Sequence, residues 1–314
     1  MQTIATLTMN PTIDKSSSVD HVVSGRKLRC KPPRHEPGGG GINVSRAILK
    51  LGGESTTLYP AGGPTGQMLQ HLLTEEGLKH HPISIKEWTR ENLTILEEAT
   101  DHQYRFGMPG PPMNTEEWQQ CLAALAALKP APDYLVASGS LPPGVPADFY
   151  ARVVRAMRDI RARVIVDGSG EPVRLAAREG VYLLKPNMRE FQQLVGQEVT
   201  DEADIEAAAR EIIGRGQSKV IVVSLGAAGA VIVSKEACEF LRSPTVPIKS
   251  RVGAGDSMVA GIVLSLARGK TLHEAVRFGV AAGAAAVMTP GTELCRREDA
   301  ERLYARMMAS SQTQ

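Results

Sequence analysis

From residue 131 onward, short apolar runs alternate with amphipathic stretches, and nothing else in the chain restricts its fold as strongly. DYLVASG, RVIVDGS, VYLLKPN and KVIVVSLG each read as a buried strand running into a loop. Segments such as 147–160 and 201–214 carry helical periodicity. Apolar strands separated by helices predict βαβ units, and hence a mostly parallel sheet with both faces covered. GAVIVS and ACEFL then read as a short antiparallel pair. With 314 residues, 42% of them hydrophobic and 22% charged, the chain can bury one large α/β core.

The earlier part follows another pattern. Around residues 13–23, 28–35 and 93–108 the runs alternate and are more polar. ENLTILEEATDHQYRF reads as a hairpin turning near Asp101. We expect a small β-sheet lid, assembled from roughly 12–36 and 89–108, beside one main domain spanning 1–314. Left alone, such a lid would expose an apolar face and open strand edges, so a homodimer joined through the lids is expected. The terminal SSQTQ is expected to fray.

Several function classes are disfavoured. The net charge is +2 and no basic run stands out, which argues against nucleic acid or an anionic membrane as partner. MQTIATLTMNP lacks the charged and apolar regions of a signal peptide, and 280–288 is too short and too rich in Ala and Gly to span a bilayer. Cys30, Cys121, Cys238 and Cys295 are far apart, as free thiols in a reducing cytoplasm would be. The seven histidines show no metal-ligand spacing.

Three motifs carry candidate chemistry. In SRVGAGDSMVAGIVLSLA, glycines lead into an apolar helix, so backbone amides and the helix N-terminus can form an anion hole. Gly253, Ala254 and Gly255 would face developing phosphoryl charge, and Asp256 beside them is placed to take the proton of an attacking hydroxyl. The plainer alternative is that Asp256 only caps the helix. In EPGGGGINVSRAILKLGG, four glycines precede a helix bearing Asn43, which can donate and accept toward a polyhydroxyl ligand. A flexible loop entering a helix is the alternative. A dinucleotide fingerprint is disfavoured because no strong strand runs into the glycines. In LLKPNMREF, Asn187 and Glu190 lie on one face of a starting helix. They suit Mg²⁺ beside nucleotide phosphates, or simply a capping box.

In this order and spacing the three motifs resemble the PfkB-type carbohydrate kinases, of ribokinase-like α/β fold. GRKLRC, EPGGGGINVSRA, WTREN, QYRF, SGSLPPG and VRFGVAAGAA look most like the minor-type 6-phosphofructokinases within that family. The resemblance implies transfer of a phosphoryl group from ATP, with Mg²⁺, to fructose 6-phosphate. It implies sugar contacts at Asp14, Gly39, Gly40, Asn43, Arg90, Arg105 and Ser140, with Lys27 reaching ligand phosphates from the lid. It implies nucleotide contacts at Lys185, Asn187, Ser224, Gly226, Gly229, Val280 and Gly283, and Glu190 near Mg²⁺. A K⁺ site would lie near Ser250, Val252, Ala286, Thr289 and Gly291. The chain departs from the family at Ser250-Arg251, where Asp-Thr is usual, and in TPGTEL, where the subgroup carries Asn and Arg. Kinases of fructose 1-phosphate, tagatose 6-phosphate or nucleosides remain alternatives, as does a non-catalytic sugar-phosphate sensor.

Overall fold

The computed structural model describes residues 1–311. Nine strands build the main sheet: β1 (Ile4–Leu7), β4 (Thr56–Ala61), β5 (Lys79–Ser84), β8 (Tyr134–Ser138), β9 (Arg163–Asp167), β10 (Val181–Leu184), β11 (Ser218–Ser224), β12 (Gly229–Ser234) and β13 (Cys238–Arg242). The other four strands, β2 (Thr12–Val19), β3 (Arg34–Gly38), β6 (Arg90–Glu97) and β7 (His102–Phe106), form a second, smaller sheet.

The main sheet runs in the order β13-β12-β11-β10-β9-β8-β1-β4-β5. Its pairs are parallel from β11 to β5, and β12 and β13 add antiparallel strands at one edge. The parallel strands are apolar on both faces because helices cover both. Leu7, Leu135 and Val166 pack to one side, against α3 (Thr115–Ala126), α4 (Phe149–Asp159), α5 (Glu171–Arg178), α6 (Met188–Val195) and α7 (Glu202–Gly214). Ile4, Val136 and Ile165 pack to the other, against α1 (Gly40–Lys50), α8 (Ala254–Ala267), α9 (Leu272–Val287) and α10 (Arg297–Ser311). α2 (Gly63–Glu75) shelters a third cluster that includes Ile13 of β2.

Helix α8 is apolar all round, as a helix buried on every side must be. It meets α9 where a Cβ on Gly261 would lie 2.9 Å from Gly279 Cα, so the two backbones touch. At the opposite edge from β13, β5 carries KHHPIS, with Pro82 in its middle. Among the described residues no helix is long and apolar enough to cross a membrane.

The small sheet has the order β3-β2-β6-β7, with β2 and β6 parallel and the outer pairs antiparallel. Its strands are shorter than the expected segments. β2 ends at Val19 and β3 starts only at Arg34. Between them Pro32 and Pro33 lack the N–H that a ladder needs, so 28–33 forms no strand and Lys27 sits on an exposed loop. The β6–β7 hairpin turns at Asp101, which takes the left-handed conformation with φ 56°. Of the terminal SSQTQ, Ser311 closes α10 and residues 312–314 lie outside the described part.

Candidate active site

Parallel strands place their carboxyl ends on one side of a sheet, where ligands bind in open α/β folds. Here β8 ends at Ser138, β9 at Asp167 and β11 at Ser224, and Lys185 follows β10 directly. Helix α1 enters this edge through Gly38–Gly41, and α8 through Gly253.

Gly253 caps α8 in the left-handed conformation with φ 75°, and Asp256 makes no side-chain cap bond. The capping alternative for Asp256 is therefore corrected: the glycine turn takes the cap position and leaves the carboxylate free for another partner. Asn43 Nδ2 donates to Asp256 Oδ2 at 2.9 Å, although 213 residues separate them. Asp256 is half-buried. Desolvation pushes its pKa up to about 7, and the Asp167 carboxylate adds to the rise; Asn43 and Lys185 oppose it.

Lys185 is buried and pairs with Asp167 Oδ1 at 3.1 Å. Burial alone would lower its pKa, but the Asp167 carboxylate, joined by Glu190 and Asp256, offsets that and the net shift is upward, so the ammonium stays charged. Its Nζ also lies beside the glycine turn, 3.6 Å from where a Cβ on Gly255 would stand. Glu190 and Asp256 are near enough to act on it electrostatically. A cation thus stands where three carboxylates and the N-terminus of α8 converge.

Asn187 and Glu190 form a reciprocal capping box on α6: Glu190 N–H donates to Asn187 Oδ1 and Asn187 N–H to Glu190 Oε2, both at 2.9 Å. Beside them Ser224 N–H donates to the Pro186 carbonyl at 2.9 Å, tying the end of β11 to the loop after β10. Gly226 opens a short 3₁₀ turn and Gly229 begins β12, where any Cβ would strike the Leu241 carbonyl. Gly283 of α9 faces the start of α8, its Cβ position 3.2 Å from the Ala254 carbonyl, and Val280 is buried one turn earlier.

The sugar-side residues divide. Asp14 projects from β2 beside Gly38, where a side chain would overlap its carboxylate, and it accepts from Asn92 Nδ2 at 3.0 Å. Burial raises its pKa, while Asn92, Arg90 and Arg46 pull it back. Gly39 packs against Pro11, and Gly40 against Ser138 and Gly139. Arg90 donates to three backbone carbonyls: Met108 at 2.8 Å, Asn10 at 2.9 Å and Pro11 at 3.4 Å. Its guanidinium is thus committed first to the loops flanking the cleft. Lys27, Arg105 and Ser140 are exposed. Arg105 pairs with Thr94 across the hairpin, on the same face of the lid as Asn92 and Asp14.

The residues expected near K⁺ lie on the loop ahead of α8 (Ser250, Val252), at the end of α9 (Ala286) and on the loop after it (Thr289, Gly291). Ser250 Oγ donates to the Gly291 carbonyl at 2.9 Å and accepts from Val252 N–H at 3.2 Å. Thr289 Oγ1 donates to the carbonyls of Ala286 and Leu294 at 2.7 and 2.8 Å. The sequence reading missed Asp167, Asn92 and Asn10. Asp167 had a visible signal: an apolar run in a parallel sheet that stops on a carboxylate, RVIVD, puts that carboxylate at the ligand edge.

Residues 7–299 match the model of the pfkB family carbohydrate kinases. The ATP-dependent 6-phosphofructokinase isozyme 2 of Mycobacterium tuberculosis is 47% identical over 301 residues, covering 96% of this chain and 88% of that protein. Two crystal structures of phosphofructokinase-2 from Escherichia coli superpose on the model. The potassium complex has a TM-score of 0.95 at 44% identity, and the fructose-6-phosphate complex 0.92 at 43%. Each covers 98% of this chain and all of the other. The glycine turns, the half-buried Asp256 and the strand-edge lysine thus stand in a chain that belongs to the pfkB family of carbohydrate kinases.

Proposed function

We propose that the chain phosphorylates fructose 6-phosphate to fructose 1,6-bisphosphate with ATP. The observation that carries the chemistry is Asp256. It is a desolvated carboxylate with its pKa raised to about 7, held by Asn43, one residue past a glycine turn at a helix N-terminus. Such a group accepts a proton readily near neutral pH. The phosphosugar itself is supported by the relatives at 43 to 47% identity that are named for, or bound to, fructose 6-phosphate.

In this reading Asn43 orients Asp256 so that its second oxygen faces the sugar hydroxyl. As that hydroxyl attacks the γ-phosphorus, its proton passes to Asp256, the bond from the γ-phosphorus to the bridging β-phosphate oxygen breaks, and ADP leaves. Amides of Gly253, Ala254 and Gly255 stabilise charge on the equatorial oxygens. Lys185, kept cationic by Asp167, neutralises phosphate charge from the floor of the cleft. Asn187, Ser224, Gly226, Gly229, Val280 and Gly283 line the side assigned to the nucleotide.

No group of three or more carboxylate, His or Cys side chains among the described residues forms a metal cage. That suits Mg²⁺, which keeps waters and takes most ligands from nucleotide phosphates, with one or two carboxylates near by. Glu190 would hold it, since the capping box uses only one of its oxygens, and the ion would supply charge neutralisation at the β and γ phosphates. K⁺ would bind at the loops of Ser250, Val252, Ala286, Thr289 and Gly291.

Two chains would join through their lids. Strand β7 is exposed along its length, and Tyr104, Phe106 and, just beyond it, Met108 are large apolar side chains left uncovered. The test of function is a steady-state panel of fructose 6-phosphate, fructose 1-phosphate, tagatose 6-phosphate and free fructose, with ATP. Fructose 6-phosphate should give the highest kcat/KM. Preference for another phosphosugar would replace the substrate and keep the mechanism, and preference for free fructose would overturn the phosphosugar reading.

A further inference from the structure

Three buried side-chain polar atoms among the described residues lack a hydrogen-bond partner: Asn43 Oδ1, Ser257 Oγ and Asn10 Oδ1. Asn43 and Ser257 flank Asp256 in space or sequence. Asn10 belongs to none of the motifs, lying just beyond β1. It is 7% exposed. Its Nδ2 donates to Ser140 Oγ at 3.0 Å. Its backbone carbonyl accepts from Arg90 at 2.9 Å. Its Oδ1 is boxed in by Gly110, where any side chain would collide with it. Gly110 ends a segment that Arg90 and Asn92 also hold, through the Met108 carbonyl and N–H at 2.8 and 3.1 Å. One residue, through its side chain and its backbone carbonyl, therefore joins the Ser140 loop of the main sheet, the Arg90 end of β6 and the strand exit after β7. A buried amide kept there with one acceptor unpaired points to a task other than packing.

We infer that Asn10 is a positioning residue for the sugar substrate, acting through Ser140. A hydroxyl has one proton. When Asn10 N–H fills a lone pair of Ser140 Oγ, the Ser140 O–H is turned away from Asn10 and toward the cleft, where Ser140 is exposed. Ser140 is thereby set as a donor, which suits the acceptor oxygens of a phosphosugar. The alternative amide orientation would bury an NH₂ against Gly110 and turn the Ser140 proton inward. The inference rests on the fructose 6-phosphate reading only in naming the ligand.

The test is a double-mutant cycle of Asn10→Ala and Ser140→Ala, with Asn10→Asp as a further variant, read as kcat, both KM values and melting temperature. Asn10→Ala should raise the KM for fructose 6-phosphate about fivefold, leaving kcat and the KM for ATP within about twofold. In the Ser140→Ala background it should add almost nothing, because the group it acts through is gone. Asn10→Asp can only accept from Ser140, so it reverses the hydroxyl and adds a like charge; its KM should rise about fiftyfold. Effects that multiply in the double variant would overturn the inference. So would an unchanged KM in Asn10→Asp, or equal losses in kcat and both KM values that track the melting temperature. Ser140→Ala with wild-type KM would sink the Asn10 inference and spare the fructose 6-phosphate reading. Wild-type preference for a free sugar would sink that reading, and the same cycle on the preferred sugar would still decide for or against coupling between Asn10 and Ser140.

Discussion

The floor of the cleft and the lid are built on opposite plans. On the floor, Asn43 holds Asp256 at 2.9 Å and Lys185 pairs with Asp167 at 3.1 Å, among buried strands and helices. In the lid, Arg105 and Lys27 are exposed, and β7 has no buried residue. In the proposed reading the floor needs no further group from protein to hold a base beside an anion hole. The lid carries charge and apolar surface that nothing in the same chain covers. In the proposed reading the chemistry is fixed within one subunit, whereas substrate capture is left to a surface that a second chain would complete.

The sharpest way to break this contrast is Asp256→Asn. The amide keeps the shape and the Asn43 contact but cannot take a proton, so kcat should fall by roughly 10²–10⁴ with little change in either KM. In the wild type, kcat/KM should rise with pH through about 7 and level off above it, because only the ionised carboxylate is a base. Removing the neighbouring charge with Asp167→Asn should move that rise to lower pH. A flat profile across neutrality, or kcat within a few-fold of wild type in Asp256→Asn, would mean that Asp256 is not the base.

On the lid the signature should be the reverse. Arg105→Ala should raise the KM for fructose 6-phosphate by roughly ten- to a hundredfold, the loss expected for one charged hydrogen bond of about 1.5–3 kcal/mol. Its kcat and melting temperature should barely change, because the contact is remote from the transferring group and Arg105 is exposed. Arg90→Ala should lower the melting temperature as well, since it leaves three carbonyls without their donor. Equal melting temperatures for the two variants would erase the distinction between them. The smallest effect is on mass: Phe106→Asp should turn a species of two chains at micromolar concentration into one chain, seen by sedimentation. A wild type that sediments as one chain with full activity would contradict pairing through the lids.

Much of this was legible in the residues. The alternation beyond residue 131 placed the parallel strands because both-face burial leaves no other reading of such runs. GAGD placed a glycine turn ahead of Asp256, and its flanks read correctly as an apolar helix. What the residues alone left open was which partner each polar group takes. Asn187 and Glu190 fit a capping box and an ion equally well by spacing, and the capping bonds are formed. Arg90 read as a phosphate fork, yet its donors meet carbonyls that lie up to 80 positions away. Asp167 and Lys185 each end or follow a strand, but only the sheet order sets β9 beside β10 and so pairs them. Contacts across strands obey no local period, so a one-dimensional pattern carries them poorly.

The edge strand β5 bears on a different matter, how the chain behaves when crowded. An open edge invites another chain to add a strand, and nine parallel and antiparallel strands leave two such edges. Pro82 removes a donor from the middle of β5, and Lys79 beside the paired histidines adds charge and bulk. At the far edge β13 carries Glu239 and Arg242. Both rims are thus poor templates for growth, and under the proposed pairing it is the lid, with its exposed Tyr104, Phe106 and Met108, that would take up a second chain. On the proposed pairing, a freshly made chain would find its mate without seeding a fibre, and the surface proposed to complete substrate capture would also be the one that limits assembly.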